Sequence, residues 1–323
     1  MAGNNIDSKV LLVIIFNHRY DQNLSILEQI YKKRFSQICY LVPFYDGPQN
    51  NVIPVYGRSI FFQGYIAQGA SHFYNESYDH YLFVADDMVL NPAINEENYM
   101  SFFEVDKNQS FISELRPLHK FGSWIGTWSG VFYKKKQKYV EAESELPSYE
   151  DAQIKFQEQG VSIRELSRKD IFGPFGFHFK TLGQKIWFCL RLFTKIRYPF
   201  KTKYKLPYPM VGSYSDILLV SGNDIKKFAH YCGVFSATCL FAEVAIPTSL
   251  ALSASSKIRT SEQMKFHGRS YWLNAQNVFS ESPEYTFDNL EKEYKNLDDM
   301  IERFPEDAIY LHPVKLSKWM KKK

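Results

Sequence analysis

Several familiar devices are missing from this sequence. Its 323 residues hold only four cysteines, Cys39, Cys189, Cys232 and Cys239, with no Cys-x-x-Cys spacing. That argues against a zinc ribbon or a disulfide framework and predicts buried thiols in a reducing compartment. No G-x-G-x-x-G and no G-x-x-x-x-G-K-[S/T] occurs, so dinucleotide and P-loop readings fail. No apolar run approaches the roughly 20 residues that a membrane-spanning helix needs. Val10–Phe16 is only seven residues long, runs into Asn17-His18-Arg19 and lacks a small-residue cleavage site. It reads as a buried first strand, not as a leader. Internal repeats and low-complexity tracts are absent, and the net charge of +4 is mild.

Aromatic residues, by contrast, are abundant: 27 Phe and 22 Tyr in a chain that is 45% hydrophobic. A chain of this length and composition can bury a core without staples, so disorder is excluded. Charge is sorted along the chain. Lys134–Lys136 with Lys138, then 180–205, then 315–323 are basic, whereas 141–158 and 281–307 are acidic. The basic clusters could meet phosphates or an anionic membrane face, and the acidic stretches read as solvated helix surface.

Periodicity predicts strands at Val10–Phe16, Ile38–Phe44, Asn51–Tyr56 and Tyr81–Val84, with helices over Asn23–Phe35 and Ile60–Tyr74 between them. This alternation predicts an α/β fold with a mostly parallel central sheet flanked by helices. Beyond Pro92 the expectations are a strand in Ser110–Leu115, loop or short strands over Lys120–Phe132 and a helix at Ser148–Gln159. A basic, aromatic inserted lobe over 169–209 follows, then a strand in Ser215–Ser221. Helices are expected at Asp224–Tyr231, Ser236–Ser253 and Leu290–Arg303. The expected organisation is a ligand-binding half (1–130), a variable insertion (131–210) and a second half (211–323).

Asp86-Asp87 end the fourth strand, in YLFVADDMVLNP. Ligands of open parallel sheets bind beyond the carboxyl ends of the strands. Two adjacent carboxylates there repel unless a cation joins them, and oxygen ligands suit Mg²⁺ or Mn²⁺. A solvated turn is the plain alternative. Glu243, inside LFAEVAIPT, is costly to bury without a partner or a role. Arg58, beside Gly57 at a strand-to-helix turn, could contact a phosphate, or that turn could be an ordinary helix cap. Trp124 or Trp128 could stack a sugar ring, or belong to the core. The stretch 185–205, with Trp187, Phe188 and Leu192 among lysines, fits an interfacial membrane contact or a packed lobe. No nucleic-acid signature occurs, so no nucleic-acid partner is expected.

LLVIIFNHRY, CYLVPFYDG and FVADDMVLNP together resemble the nucleotide-binding half of the GT-A fold glycosyltransferases, with Ala85-Asp86-Asp87 similar to an xDD variant of the acidic metal motif. The likeness covers most of the chain. It implies a nucleotide-sugar donor, with Asn17, Arg19 and Asp46 toward base and ribose. Asp87 would bind Mn²⁺ or Mg²⁺, and Asp86 the metal or the ribose. The C-terminal YLHPVKLSKWM is similar to the tail of glycogenin-like members, implying His312 as a metal ligand and Lys315 and Lys318 on the diphosphate. In inverting members an acid near Glu243 is the base, with Asp216 the second choice. A glycan or polyprenyl-linked glycan acceptor in bacterial surface-polysaccharide synthesis, at the cytoplasmic face of the membrane, completes what the resemblance implies. Two alternatives stay open: a sugar nucleotidyltransferase, and a non-catalytic carbohydrate-binding protein.

Overall fold

Apolar, β-branched runs suit strands covered on both faces. The computed structural model describes residues 9–122, 124–172, 202–271 and 287–319. In it VLLVII forms β1 (Val10–Ile15), buried throughout. Successive side chains of a strand point to opposite faces. Leu11, Val13 and Ile15 therefore enter one hydrophobic core, and Val10, Leu12 and Ile14 enter another. Each fully buried aliphatic side chain contributes about 1.5–3 kcal/mol.

Next come α1 (Gln22–Tyr31), β2 (Ile38–Pro43), β3 (Val52–Val55), α2 (Gln63–Phe73) and β4 (His80–Ala85). The first four strands pair in parallel in the order β3-β2-β1-β4. After β4 the chain makes β5 (Val89–Leu90), outside the main sheet, and returns to it with β6 (Phe111–Ile112). α3 (Ile125–Val131) and α4 (Tyr149–Glu158) precede β7 (Ile217–Ser221). β7 inserts between β4 and β6, antiparallel to both. α5 (Ile225–Ala237), α6 (Ala242–Ser253) and β8 (Arg259–Thr260) complete this layer, β8 running parallel to β6. The result is an α/β fold with a seven-stranded, mostly parallel mixed sheet flanked by helices, compatible with a Rossmann-like fold. A small second sheet orders β9 (His267–Ser270), β10 (Ala308–His312) and β5.

Four expectations are corrected. Lys120–Phe132 is not loop or strand: α3 occupies its second half. Gly126 and Gly130, which read as loop residues, are packing positions. A Cβ there would lie 2.0 Å from the Trp124 ring and 2.4 Å from Leu118 Cδ1 respectively. The helix expected over Ser236–Ser253 is two: α5 runs on to Ala237, Cys239 takes a left-handed φ of 57°, and α6 starts at Ala242. Leu290–Arg303 likewise holds two short helices, Phe287–Glu293 and Leu297–Glu302, with the Asn296 side chain accepting from the Asp299 amide at the second start. Finally, Cys39 and Cys232 are buried as expected but Cys239 is exposed. Of the stretch 185–205, residues 185–201, including Trp187, Phe188 and Leu192, lie outside the described residues. Among the described residues no helix is long and apolar enough to cross a membrane.

Candidate functional site

Register explains how distant residues meet. β1 and β4 pair with Ile15 opposite Ala85, so Asn17 and Asp86 emerge at the same sheet edge. The Asp86 amide donates to the Ile15 carbonyl at 3.0 Å, and the Asn17 amide lies 3.4 Å from Asp86 Oδ1. β7 runs the other way beside β4, with Ile217 opposite Val84. Asp216, which precedes β7, therefore lands where β4 ends, and its carbonyl accepts from the Ala85 amide at 2.8 Å. β10 pairs with β5 just past the acidic turn, Leu311 opposite Val89. That pairing delivers His312 to Asp87: Nε2 is 3.0 Å from Asp87 Oδ1 and 3.9 Å from Asp216 Oδ2. The Val314 amide ties the two segments again, donating to the Asp87 carbonyl at 2.6 Å. Glu243 enters on the first turn of α6, with its carbonyl held by the Ser213 amide at 3.0 Å.

These groups line one cavity of about 450 Å³. Asn17, Asp86, Asp87, Asp216, Glu243, His312 and Lys315, all singled out in the sequence, contribute to its wall. Arg19, Asp46 and Arg58 do not. Arg19 and Asp46 form an exposed ion pair beyond β1 and β2, and Arg19 also donates to the Phe44 carbonyl at 2.9 Å. Arg58 is exposed and sits over the Phe61 ring. Lys318 falls on the short helix Leu316–Trp319, and its side chain lies outside the described residues. Ser59, which follows Arg58 in the strand-to-helix turn considered for a phosphate, does line the cavity. So do Tyr20, Asn23 and Phe62, and sequence reasoning missed these three because nothing in their spacing sets them apart. It missed Tyr214 as well, whose hydroxyl is hydrogen-bonded to His312 Nδ1. One tyrosine among 22 carries no signal until the fold pairs it. Trp124 is buried in the core and stacks on Phe121, so its core reading holds.

The two adjacent aspartates have different fates. Asp86 is only 5% exposed, and burial with the neighbouring Asp87 charge pushes its carboxyl up to about 7. The Asn23 side chain also bonds to Asp86, and its own Oδ1 has no protein partner among the described residues. Burial would raise Asp87 too, but the His312 imidazole and Lys315 overrule it and hold the carboxyl below its usual range. His312 moves the opposite way: burial lowers it, yet Asp87, Asp216 and Asp86 together keep it above its ordinary value. Burial raises Asp216, and burial with Asp216 and Glu114 nearby raises Glu243 well above the ordinary range. One cavity thus holds carboxyl and imidazole groups whose proton affinities are displaced in different directions, a feature typical of acid–base sites.

Carboxylate oxygens and an imidazole nitrogen form a donor set that suits Mg²⁺ or Mn²⁺. Among the described residues no three His, Cys, Asp or Glu side chains stand as a preformed metal-binding group. The set fits a cation that takes one or two protein ligands and completes its shell with phosphate oxygens, the usual habit of Mg²⁺. A larger hollow of about 670 Å³ between α2 and α5 is lined by Ala67, Ala70, Ala229 and Gly233. Its wall also carries Lys226 and the half-exposed His230–Glu145 pair, 3.1 Å apart. Neither a protein-family model nor a curated protein sequence matches this chain.

Proposed function

We propose that the protein is a metal-dependent glycosyltransferase of the GT-A type, moving a sugar from a nucleotide-sugar to a glycan or lipid-linked acceptor. One observation carries the reading: Asp86, Asp87, Asp216, Glu243 and His312 line one cavity at the carboxyl edge of the parallel strands. Such an edge is where open α/β sheets bind nucleotides.

Asp87 and His312 would hold Mn²⁺ or Mg²⁺, which when bound supplies Lewis-acid neutralisation of the diphosphate leaving group. Asn17, Tyr20 and Asn23 bind the nucleoside end, and Asp86, its carboxyl raised to about 7, bonds to a ribose hydroxyl. Lys315 offsets phosphate charge at the cavity mouth. Tyr214 orients His312 from behind, as outer partners of ligating histidines do. Glu243 takes the proton of the acceptor hydroxyl as its oxygen bonds to C1 of the sugar and the C1–O bond to the diphosphate breaks. Burial raises the proton affinity of Glu243, and its ionised form is the one that accepts the proton.

The test is donor hydrolysis across UDP-, GDP- and CMP-sugars with Mn²⁺, with and without EDTA, for the wild type and Asp87→Ala. Turnover by one nucleotide class, abolished by EDTA and by the substitution, is expected. Metal-independent turnover, or a fully active Asp87→Ala protein, would sink the assignment.

A further inference from the structure

A third cavity, of about 500 Å³, has Glu114 in its wall, and its character is the reverse of the acidic one. Four permanent cations, Arg116, Lys120, Arg164 and Lys257, line it together with His119, against two carboxylates, Glu114 and Glu262. Arg116 is committed to Glu114 at 2.5 Å, and Arg164 to Asp170 at 3.1 Å. Lys120 and Lys257 are different. Both are exposed, and among the described residues neither has a carboxylate within ion-pair distance. His119 also registers the positive field: burial, Arg164 and Lys120 lower its proton affinity, with Asp170 the only opposing group. A concave site with this charge excess concentrates anions.

The walls are braced. The Gln159 side chain, just past α4, donates to the Ser256 carbonyl at 3.2 Å and accepts from the Ile258 amide at 2.8 Å. This clips the end of α4 to the approach to β8. Hydrogen bonds link the cavity wall to the segment that carries Glu243. Arg116 pairs with Gly212 across a two-residue antiparallel ladder, the Glu114 amide donates to Ser213 Oγ at 3.2 Å, and the Ser213 amide donates to the Glu243 carbonyl. Glu114 is also near enough to raise the proton affinity of Glu243. Glu114 lines the basic cavity, Glu243 lines the acidic one, and Ser213 bridges the two segments by hydrogen bonds.

We propose that this basic cavity binds an oxyanion, phosphate or carboxylate, carried by the acceptor. Lys120 and Lys257 hold the anion while the acceptor's hydroxyl reaches past Glu114 to Glu243. The word acceptor rests on the transferase reading; the anion site itself does not. Lysine ammonium groups suit either oxyanion as point charges, and Arg116, fixed by Glu114 and stacked at 4.8 Å on the Phe121 ring, shapes the rim.

The experiment uses the full chain with ¹⁵N-labelled histidine, free of donor and metal. Inorganic phosphate, D-glucuronate and neutral methyl glucoside are titrated separately while the His119 resonances are followed. Phosphate or glucuronate, but not methyl glucoside, is expected to shift His119 and raise its pKa. Response to phosphate alone assigns a phosphorylated acceptor, and response to glucuronate alone an acidic sugar. Lys120→Gln/Lys257→Gln, both changes at exposed positions, should weaken that binding at least about tenfold, or ~1.4 kcal/mol. Lys315→Gln should leave the His119 response intact, which separates this site from the donor cavity. An unmoved His119 with both anions, or equal binding by the double variant, overturns the proposal. A clear His119 response in a protein that hydrolyses no donor would keep the anion site and discard the transferase reading.

Discussion

The acidic and basic cavities are of similar size, yet their chemistry is opposed. In the first, carboxyl groups and an imidazole are buried and bonded to one another, so their proton affinities are displaced in both directions. In the second, lysines stay exposed, and burial with the Arg164 and Lys120 charges lowers the proton affinity of His119. Burial converts charge into reactivity; exposure leaves it as attraction, screened within about 8–10 Å by physiological salt. Changes in the acidic cavity should therefore alter rate and metal affinity, and changes in the basic one should alter acceptor affinity.

The largest contrast should come from Glu243→Gln. Loss of a general base costs typically about 10²–10⁴-fold in rate, so transfer should fall by that much while nucleotide binding, read by thermal shift, persists. The same substitution should stabilise the fold in a pH-dependent way. The native carboxyl ionises well above its usual value, whereas the unfolded one ionises near ~4.3. Between those values the unfolded state binds fewer protons, so stability falls as pH rises. The Tm advantage of Glu243→Gln should thus be negligible below about pH 4 and grow upward from there. An advantage that shrinks with rising pH contradicts the buried-acid account.

Tyr214→Phe comes next. It removes the hydroxyl behind His312 without touching Asp87, and outer partners of metal-ligating histidines are worth about 10–100-fold in metal affinity. Mn²⁺ titration followed by electron paramagnetic resonance would measure it, and unchanged affinity would remove His312 from the ligand set. Lys120→Gln/Lys257→Gln should have a smaller effect, raising the acceptor KM with kcat unchanged, and the wild-type KM should rise with ionic strength. A fall in kcat instead would mean that the basic cavity belongs to the chemistry. The smallest effect belongs to the apolar hollow between α2 and α5. Ala70→Leu there should leave kcat and KM unchanged within assay error, since no titratable group of the acidic cavity lines it.

The sequence made the two aspartates legible because a parallel strand buried on both faces must be apolar throughout, so acids at its end are conspicuous. Glu243 was legible for the same reason, as a lone carboxylate in an apolar helix. Arg19 and Asp46 were found at the right sheet edge, but the structure pairs them with each other outside the cavity wall, because the direction of a loop side chain has no periodicity to read. Tyr214 and Asn23 were invisible, since their importance lies only in their partners, His312 and Asp86.

By itself the sequence determined the alternating α/β plan, the buried parallel strands and the acids at their ends, since these follow from local hydrophobic pattern and chain direction. Only the tertiary structure decided which acids share a site. β7 pairs antiparallel with β4 and β10 antiparallel with β5, and those two pairings carry Asp216 and His312 to a turn more than a hundred residues earlier in the chain. Register of that kind is set by long-range packing, which no local stretch of sequence encodes.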